Sequence, residues 1–182
     1  MPKAKRTTKA DLKKKRKTYT KFISVFKDEI QLHAFKCNKE IAKSYANEAK
    51  EVIKKQLYRW APLSPKYLED KIQKGYDSRI YIRTGEFLAS IMWGVTHGKV
   101  WTGIPARVMH TGKFARADEP DRKPIPMRVL ARWLEYGTTL IPPRPVWRPL
   151  LAKYVRLRPD FGRRYRKAAD AAIKRKTKVG RK

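Results

Sequence analysis

The sequence predicts an α+β fold: a long N-terminal helix packed on a small antiparallel sheet, with further helices and basic terminal extensions. Apolar residues recur with a helical period over residues 28–58, and two short β-rich runs flank His97-Gly98. The two ends are dense in Lys and Arg and poor in apolar residues. With 182 residues, of which 41% are hydrophobic, the chain can form one domain with a core and terminal appendages.

The longest predicted helix runs from Asp28 to about Tyr58. Its apolar residues are spaced by three and four positions, and Lys and Glu occupy the opposite face. Asp28 and Glu29 favour its N-terminal end, where the helix dipole stabilises negative charge. The Ala61-Pro62 step ends it, because the residue before a proline is disfavoured in the α region. The apolar cluster at 22–26 is compatible with either a strand or the first turn of this helix.

Short elements are predicted next. Residues 66–73 are compatible with a helical turn or two inside an otherwise irregular connection. Thr84 is predicted to cap a short helix that includes Leu88 and Ile91, because its side-chain oxygen can accept an unpaired backbone N–H. Residues 92–104 predict a hairpin around His97-Gly98, where glycine tolerates positive φ.

The C-terminal part begins with a proline-containing stretch, residues 105–125, which predicts a long irregular loop. Pro126 can open a helix at its first position, and Gly137 can end that helix in a left-handed conformation. A rigid, proline-rich segment follows, and Pro149 is the predicted start of a last helix. The basic segment from Phe161 onward is compatible with helix as well.

The formal charge of +30, from 46 Lys and Arg against 16 Asp and Glu, predicts a polyanionic neighbour. Residues 1–27 hold 11 basic residues and one acidic, and residues 153–182 hold 13 and two. We therefore divide the chain into a basic N-terminal arm (1–27), a central domain (28–157) and a basic C-terminal extension (158–182). Solvated tails that only keep the protein soluble are the alternative. The predicted nucleic-acid contacts in the tails are Lys13, Lys14, Lys15, Arg16, Arg163, Arg164, Lys174 and Arg175.

The sequence predicts no catalytic, cofactor or metal site. Cys37 is the only cysteine, and its place on the apolar stripe of the long helix favours a buried, inert side chain over a nucleophile. Asp118, Glu119 and Asp121 are interleaved with basic residues, so a solvated loop is favoured over a divalent-metal site. No apolar run approaches the ~20 residues of a membrane span, and the Lys-rich start lacks the apolar stretch of a signal peptide. We expect a non-enzymatic protein without cofactors, made in a reducing cytoplasm.

Three segments carry a further signal when they are taken in order. They are WAPLSP at 60–65, RTGEFLASI at 83–91, and LEYGT at 134–138 followed by PRPVWRP at 143–149. Their order and spacing resemble the neck and tail-completion proteins of long-tailed phages over roughly residues 29–157. That family includes minor tail proteins of the lambda Z type and Mu-type virion morphogenesis proteins.

The resemblance implies a structural virion protein of the phage neck, active in tail completion or head–tail joining. Such a protein forms a six- or twelvefold ring around the DNA channel. The implied partners are further copies of the chain, other neck, connector and tail-terminator proteins, and the genomic DNA, with no membrane contact. The expected location is the neck or tail of the virion, after assembly in the cytoplasm of the bacterial host.

The matched residues fall into two groups. The first specifies the fold and consists of Thr84, Gly85, Leu88, Ile91, Glu135, Gly137 and Thr138. The second is the proline-rich segment, residues 143–149, which is preordered and therefore loses little conformational entropy on docking. We expect it to contact a neighbouring subunit, with packing inside the chain as an equally weighted alternative. Its predicted contact residues are Pro143, Arg144, Pro145, Trp147 and Arg148.

A free basic nucleic-acid-binding protein is the competing hypothesis, because the charge and the interleaved aromatic residues Tyr154, Phe161 and Tyr165 also fit it. The concentration of charge at the ends discriminates between the two, since a dedicated binder is expected to carry a basic face within residues 28–152 too. A nuclease ranks third, because it would need a metal site that the sequence does not offer.

Overall fold

The computed structural model describes residues 9–109 and 125–179 and has the α+β fold that the sequence predicts. A long N-terminal helix packs on a two-stranded antiparallel sheet, and further helices complete the fold. The elements in chain order are α1 (Lys9–Lys54), α2 (Pro65–Gln73), α3 (Glu86–Ser90), β1 (Met92–Thr96), β2 (Lys99–Gly103), α4 (Met127–Tyr136) and α5 (Trp147–Val179).

Helix α1 begins at Lys9 rather than near Asp28, so most of the segment interpreted as an arm is helical. Its low apolar content argues against a core but not against a helix, because Lys, Arg, Leu and Ala are strong helix formers and neither Gly nor Pro interrupts the run. Asp28 therefore lies inside the helix and does not mark its start. The helix ends at Lys54 rather than near Tyr58, since Gln56 adopts a positive φ of 50°.

The two short helices give one confirmation and one correction. Helix α2 confirms the predicted helical turns, and Ser64 caps it by accepting the N–H of Tyr67. The capping prediction for α3 is wrong: its N-cap residue is Gly85, with φ 81°, and no side chain caps it. Because Gly85 takes the left-handed conformation, the helix begins one residue later and the Thr84 hydroxyl lies outside the capping position. Ile91 follows this helix and is fully buried.

The hairpin prediction is confirmed. Strands β1 and β2 pair antiparallel, with Trp93 opposite Thr102. His97 and Gly98 join them with φ values of 49° and 71°, the conformation of a two-residue type I′ turn. Lys39 of α1 lies over the ring of Trp93, with 5.8 Å between the Nζ atom and the ring centroid.

The predicted long loop falls mostly outside the described residues, which resume at residue 125. Its two ends meet, because the N–H of Met127 donates to the carbonyl of Val108 at 2.9 Å. Pro126 is the N-cap residue of α4 rather than its first residue. Gly137 ends the helix at a positive φ of 79°, as predicted, but its ψ of 173° places it outside the left-handed α conformation. The loop residues weighed as a metal cluster also lie outside the described part: Asp118, Glu119 and Asp121.

Helix α5 starts at Trp147, two residues before the predicted Pro149. The earlier start follows from Glu135 of α4, whose carboxylate accepts the first backbone N–H groups of the helix. The helix then continues through Pro159 to Val179, so the basic segment after residue 161 belongs to the same element.

The chain divides into two compact units. The terminal unit contains residues 9–38 and 158–179 of the described chain, and the central unit is Lys39–Leu157. Cys37 is buried in the terminal unit, as the helical period predicts. The most deeply buried apolar residues of the central unit are Ala49, Ile53, Ile91, Val146 and Leu150.

Candidate functional site

Arg144 joins two of the three motif segments inside the central unit. Its guanidinium is buried and donates from Nε to the carbonyl of Ala61 at 2.9 Å and from Nη2 to the carbonyl of Pro62 at 3.0 Å. Its backbone N–H donates to the carbonyl of Leu134 at 2.7 Å. Burial lowers the pKa of the Arg144 guanidinium from its ordinary value. Even so, an arginine stays charged at neutral pH, so these two carbonyl groups receive charge-assisted hydrogen bonds.

Two aromatic side chains bond to carbonyl groups of the proline-rich segment. Trp60 Nε1 donates to the carbonyl of Pro145 at 2.9 Å, and the Tyr81 hydroxyl donates to the carbonyl of Arg144. The ring centroids of Trp60 and Tyr81 lie 5.1 Å apart. The ring centroid of Tyr81 lies 5.0 Å from that of Phe87 in α3. Burial raises the pKa of Tyr81, so its hydroxyl remains a donor. All three motif segments therefore meet at these rings.

The loop that carries Tyr81 is fixed on both sides. The buried ammonium of Lys71 donates to the carbonyl of Arg79 at 2.8 Å and to that of Ile82 at 2.7 Å. The amide of Gln56 accepts the N–H of Ile80 at 3.1 Å and donates to its carbonyl at 3.0 Å. These bonds hold Tyr81 in its positive φ of 66° and present its hydroxyl to the proline-rich segment.

Glu135 fixes the start of helix α5. Its buried carboxylate accepts the N–H groups of Val146 at 2.7 Å and Trp147 at 3.0 Å through Oε2, and that of Arg148 at 2.9 Å through Oε1. A helix leaves its first backbone N–H groups without partners, and its dipole favours negative charge there. Glu135 thus supplies from α4 the cap that α5 lacks locally. We call Trp60, Tyr81, Glu135, Arg144 and Trp147 the motif cluster.

Gly137 and Thr138 make the sharp turn between α4 and the proline-rich segment. The Thr138 hydroxyl accepts the N–H groups of Leu140 at 3.2 Å and Ile141 at 3.0 Å, and the N–H of Thr138 donates to the carbonyl of Ile141 at 2.8 Å. Gly137 has φ 79°, and a Cβ atom there would lie 3.0 Å from the Ile141 carbonyl and from Pro143. Both its conformation and its surroundings therefore require glycine.

Replacing Gly137 with alanine should lower the free energy of unfolding by about 3 kcal/mol, because strain at positive φ adds to the close contact with backbone atoms. Gly162→Ala is the matched control. Gly162 lies in α5, where an added Cβ atom would have no neighbour within 4 Å, so alanine should raise stability by up to about 1 kcal/mol. Urea denaturation of both variants measures the difference. Equal effects of the two substitutions would contradict the role of Gly137.

The predicted contact residues occupy different environments. Trp147 stacks on Tyr45 of α1, with ring centroids 6.3 Å apart and an interplanar angle of 16°, and the Tyr45 hydroxyl donates to the Trp147 carbonyl at 2.9 Å. Burial raises the pKa of Tyr45 to about 12. Arg144 is buried, Pro145 and Trp147 are partly buried, and only Pro143 and Arg148 are exposed. Arg144 and Trp147 thus pack inside the chain, and contact of this segment with another subunit stays a prediction.

Four large apolar side chains in α4, in the turn that follows it and in α5 are exposed, and sequence reasoning missed them. Tyr136, Leu140, Leu151 and Val155 are each more than half exposed, and we call them the α4–α5 face. Arg148 links its two helices, since its guanidinium lies 4.9 Å from the ring centroid of Tyr136. An open groove of about 550 Å³ is lined by Arg132, Trp133, Tyr136 and Gly137. The available signal was the apolar pair 150–151 followed by 154–155, which gives α5 two apolar sides instead of one.

The terminal unit brings the two basic segments of the chain together. Glu29 of α1 forms a salt bridge with Lys176 of α5. The ring centroids of His33 and Tyr165 lie 6.5 Å apart. Residues 9–38 and 158–179 hold 18 basic and five acidic residues. The predicted nucleic-acid contacts lie on these two helices, and the side chain of Lys15 is outside the described set. The other seven have exposed side chains: Lys13, Lys14, Arg16, Arg163, Arg164, Lys174 and Arg175.

Metal centres and membrane-spanning helices are two further features that bear on function. Within residues 9–109 and 125–179, no group of His, Cys, Asp or Glu could hold a metal ion. Over those two ranges, no helix combines the length and the apolar character that crossing a membrane requires.

No family model, curated protein or solved structure matches this chain. Two residues of the motif cluster, and the buried Lys71 that holds the loop of Tyr81, were not singled out from the sequence. Trp60 lies in a matched segment but had no role assigned, and Tyr81 and the buried Lys71 gave no signal, since a tyrosine or lysine in an irregular stretch is ordinarily exposed.

Proposed function

We propose that the chain is a structural virion protein of the phage neck, which forms a ring around the DNA channel during tail completion or head–tail joining. The observation that supports this is the convergence of the three segments that resemble the neck family. Trp60 and Arg144 tie the first segment to the last, Phe87 brings in the second, and Glu135 connects the last segment to α5. Three segments that are separate in the sequence thus serve one structural unit.

Ring formation requires one patch of the chain to bind a different patch of the next copy, repeated until the ring closes. The α4–α5 face is suited to be one of these patches. Its large apolar side chains are exposed, Tyr136 contacts the guanidinium of Arg148, and aromatic residues and arginine are enriched at interface hot spots. Glu135 of α4 binds the first backbone N–H groups of α5, so the two helices that carry the face are held together before docking.

The double variant Leu151→Asp with Val155→Asp should abolish ring assembly or incorporation into particles. Both side chains are exposed in the single chain, so its fold and thermal stability should remain close to those of the wild type, whereas charges buried at an interface weaken it strongly. Ile72→Asp is the matched control, since Ile72 is an exposed apolar residue of α2, away from this face in sequence. Trp147→Ala is a poorer probe, because its ring stacks on Tyr45 within the chain.

Sedimentation velocity of the purified variants, alone and with neighbouring neck proteins, provides the measurement. A double variant that assembles as well as the wild type would exclude the α4–α5 face as the subunit contact. Loss of assembly in the Ile72→Asp control as well would show that the effect is not specific to this face.

The basic terminal unit would contact the DNA in the channel or acidic surfaces of neighbouring connector and tail-terminator proteins. Its 18 basic residues are carried on helices, with most of the predicted contact side chains exposed. Each phosphate neutralised by a Lys or Arg releases a counterion, so DNA binding through this unit should weaken steeply with salt.

A free basic nucleic-acid-binding protein is the second candidate, and the same terminal unit favours it. Two basic helical segments in one compact unit concentrate positive charge without the need for a ring. The two candidates differ in what they require: a free binder needs no other virion protein, and variants of the α4–α5 face should leave its nucleic-acid affinity unchanged.

A further inference from the structure

The N-terminal half of helix α1 carries an apolar stripe that is open to solvent. The exposed fractions are 56% for Leu12, 68% for Tyr19, 51% for Ile23 and 43% for Ile30. Phe26 falls in the same register but contacts other residues of the chain, so it is not counted in the stripe. At 100° per residue the four side chains fall within about 40° of one another around the helix. The terminal unit thus presents one narrow apolar line on a long helix.

The width of the stripe indicates what kind of surface covers it. Its members are separated by seven, four and seven residues, about 18 residues in five turns, so they stay in one line along the helix axis. A helix that lies on a lipid surface instead needs a broad apolar face, at least about 100° wide. Here Arg16 and Lys27 are positioned directly beside the line, within about 60° of its centre. The narrow line therefore favours a helical partner over a membrane.

The charge around the stripe indicates which helix. Residues 9–38 hold nine basic and three acidic residues, and residues 158–179 of the same unit hold nine and two. A second copy would bring Lys and Arg opposite Lys and Arg along the flanks of the line, which destabilises the pairing. A partner with Glu or Asp at those flanking positions would form ion pairs along the same line.

We propose that this stripe is the docking site for an amphipathic helix with acidic flanks, supplied by a partner protein. Leu12, Tyr19, Ile23 and Ile30 pack against the apolar seam of that helix, and the flanking lysines and Arg16 pair with its carboxylates. This partner is additional to the subunit contact of the ring, and the site does not depend on ring formation.

The test uses the full chain and a synthetic four-heptad peptide with Leu at the two seam positions and Glu at the flanking positions. Two control peptides replace the Glu residues with Lys, or keep the composition and scramble the order of Leu. Calorimetric titration should show binding of the acidic seam peptide and of neither control. Ile23→Ser and Ile30→Ser should each weaken it about tenfold, because each removes one buried aliphatic side chain from the contact. Ile72→Ser, the same change at a 61% exposed site on α2, should leave the affinity unchanged.

Three results would overturn the proposal. Equal binding of the scrambled acidic peptide, insensitive to Ile23→Ser, would mean that charge alone attracts the peptide. A chain that self-associates, and whose dimer is broken by Ile23→Ser while the peptide does not bind, would make a second copy the occupant. Binding to phosphatidylserine vesicles that depends on Ile23 and Ile30, without peptide binding, would make a membrane surface the occupant. Because the readout is peptide affinity, failure here would leave the ring assembly to be decided by its own variants.

Discussion

Replacing Glu135 with alanine should lower the free energy of unfolding by about 4 kcal/mol. Three backbone N–H groups, those of Val146, Trp147 and Arg148, lose their acceptor in a buried or partly buried setting. Each such unsatisfied donor costs about 1–3 kcal/mol, and the favourable interaction of the carboxylate with the helix dipole is lost as well. Glu135→Gln should cost less, because one amide oxygen remains as an acceptor.

Urea denaturation followed by circular dichroism measures this effect, with Glu69→Ala as the control. Glu69 is an exposed glutamate of α2 whose side chain accepts a hydrogen bond from Gln73 of the same helix, so its loss should change stability by less than about 0.5 kcal/mol. A loss below 1 kcal/mol for Glu135→Ala would mean that water replaces the carboxylate at the start of α5 and that Glu135 does not hold the proline-rich segment in place.

Replacing Arg144 with alanine should destabilise the chain by about 3–4 kcal/mol. The carbonyl groups of Ala61 and Pro62 lose both donors of the guanidinium, and a cavity remains where the side chain was buried. Arg144→Lys should recover only part of this loss, because an ammonium is a single point charge and cannot reproduce the two-pronged geometry of the guanidinium.

Arg128→Ala is the control for this pair of variants, since Arg128 is an exposed residue of α4 and should change stability by less than about 0.5 kcal/mol. Thermal unfolding of all three proteins provides the comparison. If Arg144→Lys were as stable as the wild type, the charge alone would matter, and the two carbonyl contacts would not be the reason for an arginine at this position.

The features that were predicted from the sequence are those that short-range patterns determine. The hairpin was predictable, because β-rich runs flanking His97-Gly98 demand a turn with positive φ. The end of α4 at Gly137 was predictable for the same reason, since glycine tolerates the φ of 79° found there. Cys37 was placed correctly because a helical period identifies the buried side of α1.

The features that were not predicted depend on contacts between residues far apart in the sequence, or on sequence signals that are weak. The start of α1 at Lys9 was missed, because Asp28 and Glu29 were interpreted as its N-terminal end and the preceding Lys-rich segment as a basic arm, although the residues of that segment favour helix. The start of α5 was missed, because its cap comes from Glu135, which lies 12 positions before the first helical residue. Arg144 was predicted to contact a neighbouring subunit, with packing inside the chain as an equal alternative. Local sequence could not decide between the two, because the carbonyl groups that accept its hydrogen bonds lie more than 80 positions away.

The solution mass of the purified chain, with and without the neighbouring neck and connector proteins, tests the ring proposal most directly when it is combined with electron microscopy of the same samples. The neck proposal predicts closed rings of six or twelve copies, formed alone or on a connector partner, with an open central channel. A chain that remains monomeric with every neck partner, and still binds DNA with a steep salt dependence, would contradict it and favour a free nucleic-acid-binding protein.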